Sequence, residues 1–111
     1  MTDQDRLWDF EFMVMLALMR LGDEAYGVSI SREIKRRSGR EMALGSVYAT
    51  LERLERKGFV VSELGEPTME RGGRAKKHFR VTGKGLRVVR EAQRALVKLW
   101  QGLPELEGGK A

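Results

Sequence analysis

Five cations, Arg71, Arg74, Lys76, Lys77 and Arg80, stand within residues 71–80, and no acid stands among them. Unopposed guanidinium and ammonium groups at this density bind polyanions, phosphates above all. Upstream, residues 45–57 place Val47, Leu51 and Leu54 at i, i+4 and i+7, a helical period with one apolar side. The other side then carries Ser46, Ala49, Thr50 and Arg53. Hydroxyls near a helix start and an arginine one turn on are groups that meet base edges in a major groove. Tyr48 is open to two readings, a ring that completes the core and a hydroxyl that reaches a phosphate. Glu52 and Glu55 would repel DNA and are expected to point sideways, toward Arg56 or the hairpin. Arg32, Lys35, Arg36 and Arg37 form a second basic group, at a helix C-terminus where cations also suit the helix dipole.

Other chemistry lacks its residues. There is no cysteine, so thiolate metal sites, disulfides and a cysteine nucleophile are excluded. The one histidine, His78, lies among cations in a strand pattern, where a surface or DNA-facing imidazole is expected rather than a catalytic base. Gly72 and Gly73 follow no strand-to-helix turn and so make no nucleotide-phosphate loop. The carboxylates show no metal-ligand spacing. A binding protein is expected, without cofactor or metal, and not an enzyme.

The 111 residues suit one domain, and 33% charged with 41% hydrophobic residues describe a globular chain. The net charge of +5 favours a polyanionic partner. The first residues, MTDQDRLWDFEF, are acidic where an export signal is basic. The apolar stretch over residues 12–19 is too short to cross a bilayer. A soluble, cytoplasmic protein is expected.

Four helices and a hairpin position the two basic and polar groups. The first helix is expected over residues 6–21, stopping at Gly22-Asp23. Leu7, Phe10, Val14, Ala17 and Leu21 form one stripe on it, and Trp8, Phe12, Met15 and Met19 a second. A helix apolar nearly all round is buried nearly all round. Either it is the central helix of a monomer, or one stripe packs at home and the other on a second subunit. The second helix runs from residue 25 or 26 to 38, with Val28 and Ile34 inward and Gly39 as its stop. The third covers residues 45–57 and ends at Gly58. Residues 59–64 read as a strand and 78–81 as its partner, with Phe79 and Val81 inward. Gly65, Pro67, Gly72 and Gly73 belong to a long tip between them. Thr82 is placed to cap a last helix through Trp100, apolar through Leu86, Val89, Leu96, Leu99, Trp100 and Leu103. A mainly α protein with a small β-hairpin follows. Helix followed by basic hairpin is the DNA-reading half of a winged helix-turn-helix. Residues 1–82 form that domain, residues 83–103 an added C-terminal dimerisation helix, and residues 104–111 a frayed tail. The last helix has no home core left to cover it, and pairing with the first helix of a twin subunit would bury both.

Three segments carry a family resemblance. Tyr26-Gly27-Val28-Ser29-Ile30 is similar to a second-helix opening written His-Gly-Tyr or a variant, followed by an acid and an aliphatic residue. The run GSVYATLERLERKG over residues 45–58 resembles the signature Gly-Thr-Leu-Tyr-Pro-x-Leu-x-Arg-Leu-Glu-x-x-Gly. The run GRAKKHFRVTGKG over residues 73–85 resembles Gly-Arg-Pro-Arg-Lys-Tyr-Tyr-x-Leu-Thr-x-x-Gly. In this order and separation they resemble the PadR-like transcriptional regulators, of the short subgroup. The chain departs from the pattern at Ala43-Leu44, where Ser-Pro is frequent, at Ala49 for a frequent proline, and at His78-Phe79 for the tyrosine pair.

The resemblance implies a homodimeric winged-helix repressor on double-stranded DNA, dimerising through its C-terminal helix. It implies Ser46 and Tyr48 at the DNA face, and Arg74, Lys76 and Lys77 in the wing. In some relatives it implies a planar aromatic effector between the subunits. Trp8, Phe12, Met15, Leu96, Leu99 and Trp100 are the candidates for that pocket or for plain dimer packing. The rival expectation is a winged helix used as a protein-contact adaptor, which has no need of an acid-free wing.

Overall fold

A computed structural model describes residues 9–65 and 76–107. Three helices come first: α1 (Asp9–Leu21), α2 (Gly27–Ser38) and α3 (Leu44–Arg56). An antiparallel hairpin of β1 (Val60–Leu64) and β2 (Lys77–Val81) follows, then α4 (Gly83–Trp100). This is the expected mainly helical fold with a two-stranded hairpin and a C-terminal helix.

The helix ends follow local chemistry. Gly22, Gly39 and Gly58 all take positive φ, the left-handed geometry that stops α1, α2 and α3. At the start of α2 the Tyr26 N–H donates to Ser29 Oγ at 3.0 Å, occupying one of the helix-terminal donors. Ala43 gives α3 no side-chain cap, in keeping with the departure noted there.

Val14, Met15, Leu18, Ile30, Ile34, Val47, Leu51 and Leu54 bring the three helices onto one core, closed by Phe59 and Phe79 from the hairpin. Strand register pairs Val60 with Val81 and Ser62 with Phe79. The Phe79 N–H donates to Ala25 O at 2.9 Å, so the hairpin is sewn to the segment before α2.

The buried face of α1 differs from the expected stripes. Its axis runs through Glu11, Val14, Met15 and Leu18, while Phe10 and Met19 are exposed. Met15, a candidate for the dimer or effector face, is a core residue with no exposed surface. Phe12 is half-buried against the same core. The displacement has a physical reason: Glu11 occupies the middle of the inward face, so the apolar pattern alone misplaces its centre. Val28 is only half-buried, and Ile30 is the fully inward residue of that turn.

α4 is rooted in one small patch. Thr82 Oγ1 accepts from the Gly85 N–H at 3.0 Å, the expected N-cap, and donates to Gly58 O at 2.7 Å. The Thr82 N–H donates to Phe59 O at 3.0 Å. Gly85 is buried here, and a β-carbon on it would overlap the Phe59 carbonyl oxygen and press on Val81 and Met15. Because the obstacle is backbone, Gly85→Ala is expected to destabilise the protein by at least the roughly 1–3 kcal/mol of an overpacked site. Urea unfolding measures it, and wild-type stability would show that α4 is seated differently. Beyond Trp100, residues 101–107 form turns, with Leu106 N–H donating to Leu103 O at 3.0 Å.

Candidate nucleic-acid interface

The outward face of α3 carries Ser46, Tyr48 and Ala49, all exposed. The Tyr48 ring lies over Gly27, where a β-carbon would overlap it. The absence of a side chain at the start of α2 therefore sets the ring's position. The ring thus packs on α2, while 40% of the residue stays exposed.

Thr50 corrects the expected face. It is 1% exposed, and its Oγ1 accepts from Arg53 Nη2 at 3.1 Å. Position 50 is one helical turn from both Val47 and Leu54, so geometry places it inside despite its hydroxyl. Arg53 is 44% exposed, yet its Nε lies 3.6 Å from Glu11 Oε2. Glu55 Oε2 accepts from the Ser62 hydroxyl at 2.7 Å, turned toward the hairpin as expected; Glu52 and Arg56 are exposed.

Glu11 is the site residue that sequence reasoning missed. It is completely buried, and Lys57 Nζ donates to its two carboxylate oxygens at 3.0 and 2.9 Å. A glutamate at inward helical spacing from Val14, Met15 and Leu18 signals that a buried cation must face it. Nothing local points to Lys57, 46 positions later.

At the hairpin root, Lys76 Nζ lies 4.3 Å from the centroid of the Tyr26 ring, and Lys77 Nζ 5.8 Å from that of Phe79. The His78 ring meets Tyr26 edge-on at 5.7 Å, so this imidazole is half-buried at the joint between wing and α2. Arg80 is exposed. Arg71, Arg74 and Trp8 lie outside the described residues.

Three of the four cations of α2 are already engaged. Arg36 and Arg37 bind the Glu33 carboxylate at 2.7 and 3.0 Å, and Lys35 binds Glu41 at 2.7 Å. The Arg36 hydrogen bond foremost, with Arg37, outweighs desolvation and holds the Glu33 carboxyl below the usual glutamate range. These pairs leave α2 less positive toward a polyanion than its composition suggests.

Along α4 only Gly85 and Val89 are buried, while Leu96, Leu99 and Trp100 are exposed, Leu99 to 75%. A cavity of about 150 Å³ between α1 and α2 is lined by Met13, Leu16, Ala17 and Ile34, and by none of the residues proposed for an effector. Among the described residues no group of three His, Asp or Glu side chains is placed to hold a metal, and no helix is long and apolar enough to cross a membrane.

Residues 15–91 match the family described as transcriptional regulator PadR-like. The structure is similar to a PadR family transcriptional regulator from Eggerthella lenta, with 30% identity, TM-score 0.65, and 88% of this chain and 83% of that one covered. A PadR-like transcription factor from Bacteroides fragilis is 26% identical with TM-score 0.67, covering 81% and 82%. A PadR-like transcriptional regulator from Bacillus cereus, 20% identical with TM-score 0.67 and covering 88% and 93%, shares the fold. No curated protein sequence matches the chain.

Proposed function

We infer the function from one premise: the chain belongs to the PadR-like family of transcriptional regulators. On it we propose a cytoplasmic repressor that binds a pseudo-palindromic operator as a homodimer. Two copies of α3 enter successive major grooves about 34 Å apart, and the wings lie along the phosphates. The carrying observation is the pairing of one exposed face, Ser46, Tyr48 and Ala49, with a hairpin leg bearing Lys76, Lys77 and Arg80. Neutral groups on the helix suit base edges, and lysines on the hairpin leg suit phosphate oxygens.

The apolar side of α4 supports the dimer, because Leu96, Leu99 and Trp100 stand exposed on it, Leu99 to 75%. A small aromatic effector between the subunits fits the same reading, with Trp100 on that face.

Selection of binding sites by the purified protein at a stated salt concentration tests the proposal. Lys76→Ala and Lys77→Ala are each expected to weaken all sites by a similar factor and to lower the salt slope by about one. Ser46→Ala is expected instead to alter preference at particular bases. Unchanged slopes in both lysine variants remove the hairpin root from the interface. Co-purification with a protein partner, with no DNA retardation even at low salt, favours the adaptor reading.

A further inference from the structure

Two sealed polar groups on different helices converge on one arginine. Glu11 of α1 and Thr50 of α3 are buried, and both face Arg53, one turn after Ala49 on the side of α3 that borders its exposed face. The three contacts are unequal. Lys57, itself mostly buried, grips both Glu11 oxygens at hydrogen-bond distance and so fixes the carboxylate. Arg53 meets Glu11 at 3.6 Å through charge alone, its one hydrogen bond to this group going to Thr50 at 3.1 Å, and nearly half its side chain is in solvent. It is the releasable member.

We propose that Glu11 is a positioning residue for the reading face: with Thr50, its buried carboxylate draws the Arg53 guanidinium back along α3, away from the phosphate backbone. α1 thereby governs how many phosphates α3 can engage. This rests on the DNA-binding reading above.

The test measures operator affinity across a salt series for wild type, Glu11→Gln, Arg53→Ala and the double variant. Glu11→Gln keeps the side chain's size and removes its charge. It is expected to steepen the dependence of log K on log salt by about one, the signature of one more phosphate contact. Lys57 is also released by this change, so the decisive quantity is the part that vanishes when Arg53 is absent. The double variant is expected to lose most of the steepening. A shallower or unchanged slope in Glu11→Gln, or a steepening that survives without Arg53, overturns the inference. A merely structural role for Glu11 would weaken binding alike in both backgrounds. If Glu11→Gln does not fold, Thr50→Val removes the other restraint, and the same Arg53-dependent steepening is expected; its absence is equally fatal. Wild-type protein that fails to bind DNA at low salt refutes the DNA reading itself and this inference with it, a result distinct from wild-type binding with unaltered slopes.

Discussion

Glu11→Ala is expected to cost the fold about 3–5 kcal/mol, the range for removing one partner of a buried ion pair. The carboxylate has no exposed surface, and the Lys57 ammonium it holds is only 12% exposed along its side chain. Alanine leaves that cation facing a low-dielectric cavity, and the missing atoms leave a void against Met15 and its neighbours. Against a typical total stability of roughly 5–15 kcal/mol, the variant is at the edge of folding. The pair itself need not be a net stabiliser, since desolvating both ions opposes their attraction. Glu11→Leu with Lys57→Met is therefore expected to recover most of the loss. Urea titration at fixed protein concentration measures both. A single variant within 1 kcal/mol of wild type would mean that water reaches the pair.

The second large effect is expected from Leu99→Asp. Leu99 is the most exposed apolar residue of α4, and Leu96 and Trp100 flank it. In the proposed dimer an aspartate there is an unpaired charge inside an apolar interface, and the copies separate. Each copy then holds one half-site, and the loss of the tethered second contact lowers affinity for the full operator by roughly 10²–10⁴. Because the side chain is exposed in the single chain, helix content is expected to stay unchanged by circular dichroism. Sedimentation velocity reads the separation, and titration against full and half operators reads the affinity. A variant that stays dimeric with wild-type affinity places the dimer contact elsewhere.

What the sequence disclosed was what neighbouring residues decide. The glycine stops at positions 22, 39 and 58, the Thr82 cap, and the Val47, Leu51 and Leu54 face each depend on a few adjacent positions. Three features depend on contacts between distant segments and are hidden, and a fourth, the inward place of Thr50, is masked by its side-chain type. The axis of α1 was misplaced because Glu11 sits among its inward residues, and only Lys57 explains why it can. Thr50 was assigned outward by its hydroxyl, although one turn from Val47 and Leu54 is an inward place. Gly85 was recognisable as part of a pattern, but its reason, the Phe59 carbonyl against it, lies on another segment. Gly27 likewise makes room for a ring 21 positions later. The exposed face of α3 was thus legible in Ser46, Tyr48 and Ala49, and illegible where polar residues turn inward.

The anchorage of α4 has a mechanical side. Its 18 residues make a rod of about 27 Å, fastened at one end to Gly58 and Phe59 through Thr82 and Gly85. A tilt of about 10° at that pivot swings the free tip by roughly 5 Å over this length. Gly58 also closes α3, so the pivot and the proposed reading helix share a footing. If two tips join, their angle becomes the gauge of the pair, and sub-ångström repacking beside Phe59 is magnified into a mismatch with the pitch of the double helix.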